Sequence, residues 1–185
     1  MRNGLHQPLL AIDVSPVTDH QKATRVRWQV SQLLSHTVSD LLTQIRDGQL
    51  LMVNSRRRNG LIIYKRFHAE FAGPGAAVGS LFDLDCKGVL AVGDLSLVDP
   101  KAHEERQKAY LIRRQWIRLT QQLTDNPVPF QRAQMILNQF ENYFGAEAVA
   151  KLPSQAFALM VGVLPQTVEI VRYSPESPLL KELNS

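Results

Sequence analysis

Residues 157–172 read FALMVGVLPQTVEIVR, and this stretch decides the fold of the C-terminal part of the chain. Ala158 is a small residue four positions before Gly162, and Pro165 follows where a second helix would begin. Two helices that cross steeply over a tight turn need a small residue where they touch and favour a glycine at the turn, and proline is well tolerated at the first helical position. The apolar residues that would fill the wedge between the helices are Phe157, Val161, Val163, Val168 and Val171. The spacing predicts a helix-turn-helix unit over residues 154–173.

This stretch resembles the helix-turn-helix of the cyclic-nucleotide-receptor-like transcription regulators, in which an alanine, a glycine and a Thr-Val pair recur at these offsets. In that family a long dimerisation helix and a linking helix precede the motif, and residues 101–123 and 129–144 have the pattern to fill those places. The resemblance implies a regulator that binds double-stranded DNA as a homodimer. It does not extend to cyclic-nucleotide binding, because Val78-Gly79-Ser80 carries serine where the family has glutamate. We therefore expect no cofactor.

The second helix of such a unit lies in the major groove, with its N-terminal residues at the base edges. Gln166 and Thr167 are therefore the candidates for base contacts, since glutamine pairs with adenine and the threonine methyl meets thymine. Arg172 and Tyr173 are the candidates for phosphate contacts on the same helix.

The charge for a DNA-binding surface must come from outside the helix-turn-helix. The chain has a net charge of +4, but residues 145–174 are neutral, with two basic and two acidic side chains. Phosphate binding needs surplus positive charge. The expected sources are two arginine clusters, one in a turn and one on a helix: Arg56, Arg57 and Arg58, and Arg113, Arg114 and Arg118. The alternative is that the first cluster is a solvated turn and the second the solvated face of a helix whose core centres on Trp116.

The N-terminal part shows mixed patterns. We expect an extended arm over residues 1–19 and a helix from Gln21 to Asp47, where apolar residues recur every three or four positions. Two β-rich runs, 50–53 and 61–64, bracket a polar turn that ends in Asn-Gly, which predicts a β-hairpin with a basic tip. Residues 71–99 are rich in glycine and predict further short strands.

After Pro100 the pattern becomes helical. Helices are predicted over 101–123 and 129–144, the second with four residues facing inward: Ala133, Ile136, Leu137 and Phe140. The first carries an apolar stripe that serves either an internal core or a dimer seam: Ala109, Ile112, Trp116, Leu119 and Leu123. The fold class is therefore α+β, with a mixed domain over 1–99, containing a long helix and short strands, and an all-helical domain over 100–185 that contains the helix-turn-helix.

Several function classes find no support in the sequence. The single cysteine, Cys86, can neither form an internal disulfide nor build a zinc site alone. No apolar run reaches the ~18–20 residues that span a bilayer, and no nucleophile triad, metal-ligand spacing or phosphate-binding loop occurs. His68 and Glu70 share one face of a possible strand. We expect a cytoplasmic protein that is not an enzyme, holds no metal and does not bind a membrane.

The leading hypothesis is a sequence-specific DNA-binding transcriptional regulator that acts through its C-terminal helix-turn-helix as a homodimer. The alternative is a non-enzymatic interaction or scaffold protein that uses the same fold as a docking surface for another protein. In that case Leu164, Ile170 and Tyr173 would form the docking patch.

Overall fold

The computed structural model describes residues 39–173, so the predicted arm over 1–19 and the first part of the helix predicted from Gln21 lie outside the described residues. Residues 39–46 form helix α1, which agrees with the end of that predicted helix. The predicted end of this helix at Asp47 is confirmed. It is followed by Gly48, which has a φ of +80° that residues with a side chain disfavour.

Six short strands form two antiparallel three-stranded sheets. The first sheet has the order β4-β1-β6, with β1 at Leu50–Val53, β4 at Ala77–Gly79 and β6 at Leu97–Val98. The second has the order β3-β2-β5, with β2 at Asn59–Tyr64, β3 at Ala69–Ala72 and β5 at Gly88–Gly93. A turn of 3₁₀ helix at Ser80–Phe82 follows β4. β1 and β2 occupy the two predicted β-rich runs, and β4, β5 and β6 lie within the glycine-rich stretch 71–99 where further short strands are predicted.

The predicted hairpin between β1 and β2 is wrong, although both runs are strands. β1 pairs with β4 and β6, whereas β2 pairs with β3 and β5. The Asn-Gly pair is not a turn but the start of β2. A Cβ on Gly60 would lie 2.3 Å from the Phe71 ring, so glycine is needed there for close packing against β3.

Five helices follow β6. They are α2 at His103–Thr124, α3 at Pro129–Phe144, α4 at Ala146–Ala150, α5 at Ser154–Val161 and α6 at Pro165–Tyr173. The α3 prediction is confirmed in its bounds and in its four inward residues, which are all buried. The fold is thus α+β, as the sequence predicts, and between residues 39 and 173 most of the helices follow the strands.

The apolar stripe of α2 packs largely on its own chain. Ala109 and Leu123 are buried, while Ile112 and Trp116 pack against the core; Leu119 remains 45% exposed. A Cβ on Gly73 would lie 2.3 Å from the Trp116 ring, so this glycine lets the helix approach the strands. Four of the five stripe residues therefore serve an internal core.

Hydrophobic contacts join the second sheet to the C-terminal helices. The Phe71 ring on β3 contacts the Trp116 ring at 5.2 Å and the Phe140 ring at 4.9 Å, and Phe140 contacts Phe157 at 5.1 Å, all edge to face. Edge-to-face pairs add to the stabilisation that their buried area provides. These ring contacts connect a strand before Pro100 with helices after it. They hold α5 against the second sheet by way of α3.

Candidate nucleic-acid interface

Helices α5 and α6 form a steep corner. The chain direction turns by 118° between them, within the range that helix-turn-helix units show. Gly162 ends α5 with φ +63°, and Val163 N donates to the Ala158 carbonyl at 3.0 Å. Thr167 N donates to the Leu164 carbonyl at 3.0 Å, which closes the first turn of α6. The residues predicted for the turn therefore form it.

The wedge between the two helices is filled as the spacing predicts. Phe157, Val161 and Val168 have no exposed surface, and Val171 has 1%. Ala158 is 2% exposed at the point of close approach. These side chains leave one face of α6 for solvent, which carries Gln166, Glu169, Ile170 and Tyr173, with Thr167 half-buried at its edge.

Arg172 does not belong to that face, and its assignment as a phosphate-contacting residue is corrected. Its side chain lies on the buried side with Val171, and the residue is 7% exposed. Nη1 donates to the Leu152 carbonyl at 2.8 Å, and Nη2 donates to the Val149 carbonyl at 3.2 Å. Burial lowers the pKa of the guanidinium. Arg172 thus satisfies one carbonyl in the last turn of α4 and one just after it, and its guanidinium is directed into the protein.

Arg113 is corrected in the same way. It has no exposed surface, and its Nη2 lies 2.5 Å from Glu70 Oε2 and 3.2 Å from Asp83 Oδ1. The signal that could have found it is its position on α2, four residues after buried Ala109 and three before Trp116, on the apolar stripe. An arginine on such a stripe needs an acid opposite, because a buried charge is costly unless it is paired.

The acidic residues that pair with Arg113 belong to a larger network of ion pairs. Lys65 Nζ lies 3.0 Å from Asp83 Oδ1 and 2.5 Å from Asp85 Oδ1. Asp83 Oδ2 accepts a hydrogen bond from Gly79 N at 2.8 Å. Burial alone would lower the pKa of Lys65, but the hydrogen bond to Asp85 and the charge of Asp83 raise it above its ordinary value. Lys65 in turn lowers the pKa of Asp85.

The other arginines of the two predicted clusters are on the surface. Arg56, Arg57 and Arg58, which we call the arginine loop, are exposed, as are Arg114 and Arg118 on α2. Arg57 pairs with Asp94 at 2.6 Å. Within residues 39–173, the hydrogen bonds and ion pairs of the arginine loop do not reach α6.

Two asparagine side chains give the arginine loop a fixed shape. Asn59, which has no exposed surface, donates to the carbonyls of Asn54 at 3.0 Å and Arg57 at 3.1 Å. Its Oδ1 accepts from Ser96 N at 3.3 Å. Asn54 Oδ1 accepts from Arg56 N at 3.0 Å. These bonds replace the hairpin turn that the sequence predicts here.

A groove of about 270 Å³ lies beside the helix-turn-helix. Its walls come from the β2–β3 connection, the C-terminal half of α2 and the end of α5, and the lining includes Phe67, Gln121, Met160 and Gly162. Glu70, which also lines it, is engaged by Arg113 and by His68 Nε2 at 3.2 Å. His68 and Glu70, which the sequence predicts to share one face, thus form a hydrogen bond with each other.

One basic residue at the turn was not predicted as part of the site. Arg132 on α3 donates from Nη2 to the Gly162 carbonyl at 3.0 Å and from Nη1 to the Asn126 carbonyl at 2.8 Å. It places positive charge at the point where the chain enters α6. No short-range sequence signal marks it, because its partner lies 30 residues away.

Other site types find little support in the part of the chain that the structure describes. No group of three or more His, Cys, Asp or Glu side chains there could hold a metal ion. No single helix between residues 39 and 173 is long and apolar enough to cross a bilayer; α5 and α6 meet the requirement only as a pair bent by 118°. Cys86 is buried, as expected of a small apolar residue, and burial raises the pKa of its thiol. Comparison with protein-family models, curated proteins and solved structures found no match.

Proposed function

We propose that this protein is a DNA-binding regulator that places α6 in the major groove. The observation that carries the proposal is the 118° corner between α5 and α6, which leaves the first turn of α6 free at its outer face. A major groove about 12 Å wide admits one α-helix, and a helix that leaves a sharp corner can enter it end first.

The exposed face of α6 carries groups that can read base edges. Gln166 is exposed in its first turn, and Glu169 is exposed one turn later on the same face. Glutamine pairs with adenine, and a carboxylate accepts from the amino group of cytosine. An acid on this helix is thus compatible with base reading, provided that other residues supply the phosphate contacts.

Basic residues near the turn can supply those contacts. Arg132 lies at the turn itself, through its bond to the Gly162 carbonyl. Arg118 is exposed on α2 and is a helical neighbour of Gln121, which lines the groove beside the turn. Arg114 is one helical turn before Arg118 on the same face. The proposal assigns the phosphate contacts to these arginines of α2 and α3.

The test is a selection of duplexes from a random pool with the full chain, followed by binding measurements across a salt series. We expect an enriched sequence and a steep fall of affinity with salt. Gln166→Ala should remove the sequence preference with little change in the salt slope, whereas Gln139→Ala, an exposed glutamine on α3, should change neither. Absence of binding at low salt would exclude the proposal.

The proposed homodimer would read a two-fold site. Two α6 helices related by two-fold symmetry read half-sites about 10 base pairs apart, or a multiple of that. Sedimentation equilibrium of the free chain and the spacing of half-sites in the selected duplexes measure this directly. A monomer that selects a single half-site would exclude the dimer and leave the DNA-binding proposal in place.

The second candidate is a docking surface for another protein, and one observation favours it. Leu164 is 69% exposed, Ile170 62% and Tyr173 74%. Large exposed apolar groups that are close together mark interaction surfaces. If Ile170→Asp abolishes a protein complex that the chain forms in cells and leaves duplex binding unchanged, this function replaces the first.

A further inference from the structure

We infer that the tip of the β2–β3 hairpin, residues 65–68, is a second DNA-contacting element, in which Arg66 binds a backbone phosphate beside the helix-turn-helix. The inference rests on the proposed function and assigns to it two residues, Arg66 and Phe67, that the sequence does not single out. The ligand group is a phosphodiester of the same duplex that α6 reads.

The hairpin tip has a fixed position. Lys65 N donates to the His68 carbonyl at 2.8 Å, which closes a four-residue turn with Arg66 and Phe67 at its apex. The Lys65 side chain is buried and paired with Asp83 at 3.0 Å, so the base of the tip is anchored in the protein. A rigid tip positions a side chain with little loss of conformational entropy on binding.

That position is next to the turn of the helix-turn-helix. Phe67 and His68 line one wall of the 270 Å³ groove, and Met160 and Gly162 line another. Gly162 is three residues before α6 begins at Pro165. The hairpin tip therefore flanks the end of α6 that is proposed to enter the major groove, where the phosphates of the adjoining strand pass.

The side chains at the apex are unusual for a surface turn. Phe67 is 79% exposed, and the guanidinium carbon of Arg66 lies 4.9 Å from the centre of its ring. Among the described residues Arg66 forms no ion pair. Stacking on an aromatic ring orients a guanidinium and leaves its edge donors open, and those donors match a phosphate.

The charges around the groove favour an anion. Glu70 is the acid among the groove-lining residues, and it is already paired with Arg113 at 2.5 Å. Arg66 is next to Phe67 in the chain, and Arg132 donates to the carbonyl of Gly162; Phe67 and Gly162 both line the groove. Since the proposed reading helix begins at this opening, duplex phosphate fits these charges better than an acidic protein segment does.

The first experiment measures duplex binding by the full chain across a salt series for wild type, Arg66→Ala and Arg66→Lys. Loss of one phosphate contact per protomer should reduce the slope of log K against log salt by about 0.9 for each protomer bound, and it should weaken binding about equally for all sequences. Arg66→Lys should keep the wild-type slope, because it keeps the charge. The control is Lys151→Ala, an exposed lysine after α4, which should also keep it.

The second experiment replaces Phe67 with a photo-crosslinking amino acid and uses the same replacement at Tyr143, an exposed residue of α3, as the control. We expect crosslinks to the duplex from position 67 only. An unchanged slope for Arg66→Ala, or crosslinks from position 67 to protein alone, would overturn the inference.

Failure of the inference is distinguishable from failure of the proposed function. If Gln166→Ala loses sequence preference while Arg66→Ala keeps the slope, only the hairpin contact is wrong. If wild type shows no salt-dependent binding to any duplex, both are wrong.

Discussion

The guanidinium of Arg113 lies 3.2 Å from the carboxylate of Asp83, and neither residue has any exposed surface. Because removal of one member of a buried ion pair leaves the other uncompensated, we expect Arg113→Met to lower the free energy of unfolding by about 3 kcal/mol. Arg114→Met, one position away but exposed, should change it by less than about 0.5 kcal/mol. Urea unfolding followed by circular dichroism measures both, and equal losses would show that the pair contributes nothing specific.

The pairing of Lys65 with Asp85 makes stability depend on pH at both extremes. The lowered pKa of Asp85 contributes stability that is present above its unfolded value of about 3.9 and is lost as pH falls through the folded value. The raised pKa of Lys65 contributes stability that is present below about 10.4 and is lost as pH rises through the folded value.

Asp85→Asn should therefore flatten both the acid and the alkaline limb of the curve of unfolding free energy against pH. Asp125→Asn, which removes an exposed carboxylate after α2, provides the control. Identical acid limbs in the two variants would contradict the assignment of this dependence to the Lys65–Asp85 pair.

Arg172→Met should destabilise the fold without weakening DNA binding. The carbonyls of Leu152 and Val149 lose their donor, and hydrogen bonds to charged groups contribute about 1.5–3 kcal/mol each. The slope of log K against log salt should stay at the wild-type value at a temperature where the variant is folded. A reduced slope under those conditions would mean that Arg172 reaches phosphate after all.

Gly162→Ala should destabilise the helix-turn-helix by about 1–2 kcal/mol, because φ there is +63° and a left-handed conformation strains a residue with a Cβ. Gly88→Ala is the matched control, since its φ lies outside that region and the nearest atom to a new Cβ is 3.6 Å away. Thermal unfolding compares the two. If Gly162→Ala were neutral, the turn would tolerate a different geometry from the one observed.

Local patterns predicted the helices well. The bounds of α3 and the turn at Gly162 follow from short-range rules, in which proline can begin a helix and glycine can end one. The buried residues of α5 and α6 follow from helical spacing in the same way.

The strand pairing could not be predicted, because it depends on residues distant in the chain. Asn59-Gly60 has the composition of a hairpin turn. However, the glycine is required because the Phe71 ring leaves no room for a Cβ, and the asparagine because its buried side chain donates a hydrogen bond to the preceding loop. The candidate site likewise contains residues that local spacing predicts and residues that it does not. Gln166 is where helical spacing predicts it, whereas Arg113 is buried because Glu70 and Asp83 reach it from elsewhere.

The separation of β1 and β2 into different sheets also sets an order of assembly. β2 and β3 are joined by four residues and can pair as soon as both exist. β1 can pair with β4 early, but Val53 of β1 pairs with Leu97 of β6, which is more than forty residues later in the chain. Closing so long a loop costs entropy before any contact compensates for it. We expect the pairing of β1 with β6 to form last in refolding. During synthesis, β1 would emerge from the ribosome as an unpaired strand until β4 has been made, and its second edge would stay open to pairing with other chains until Val98 has been made.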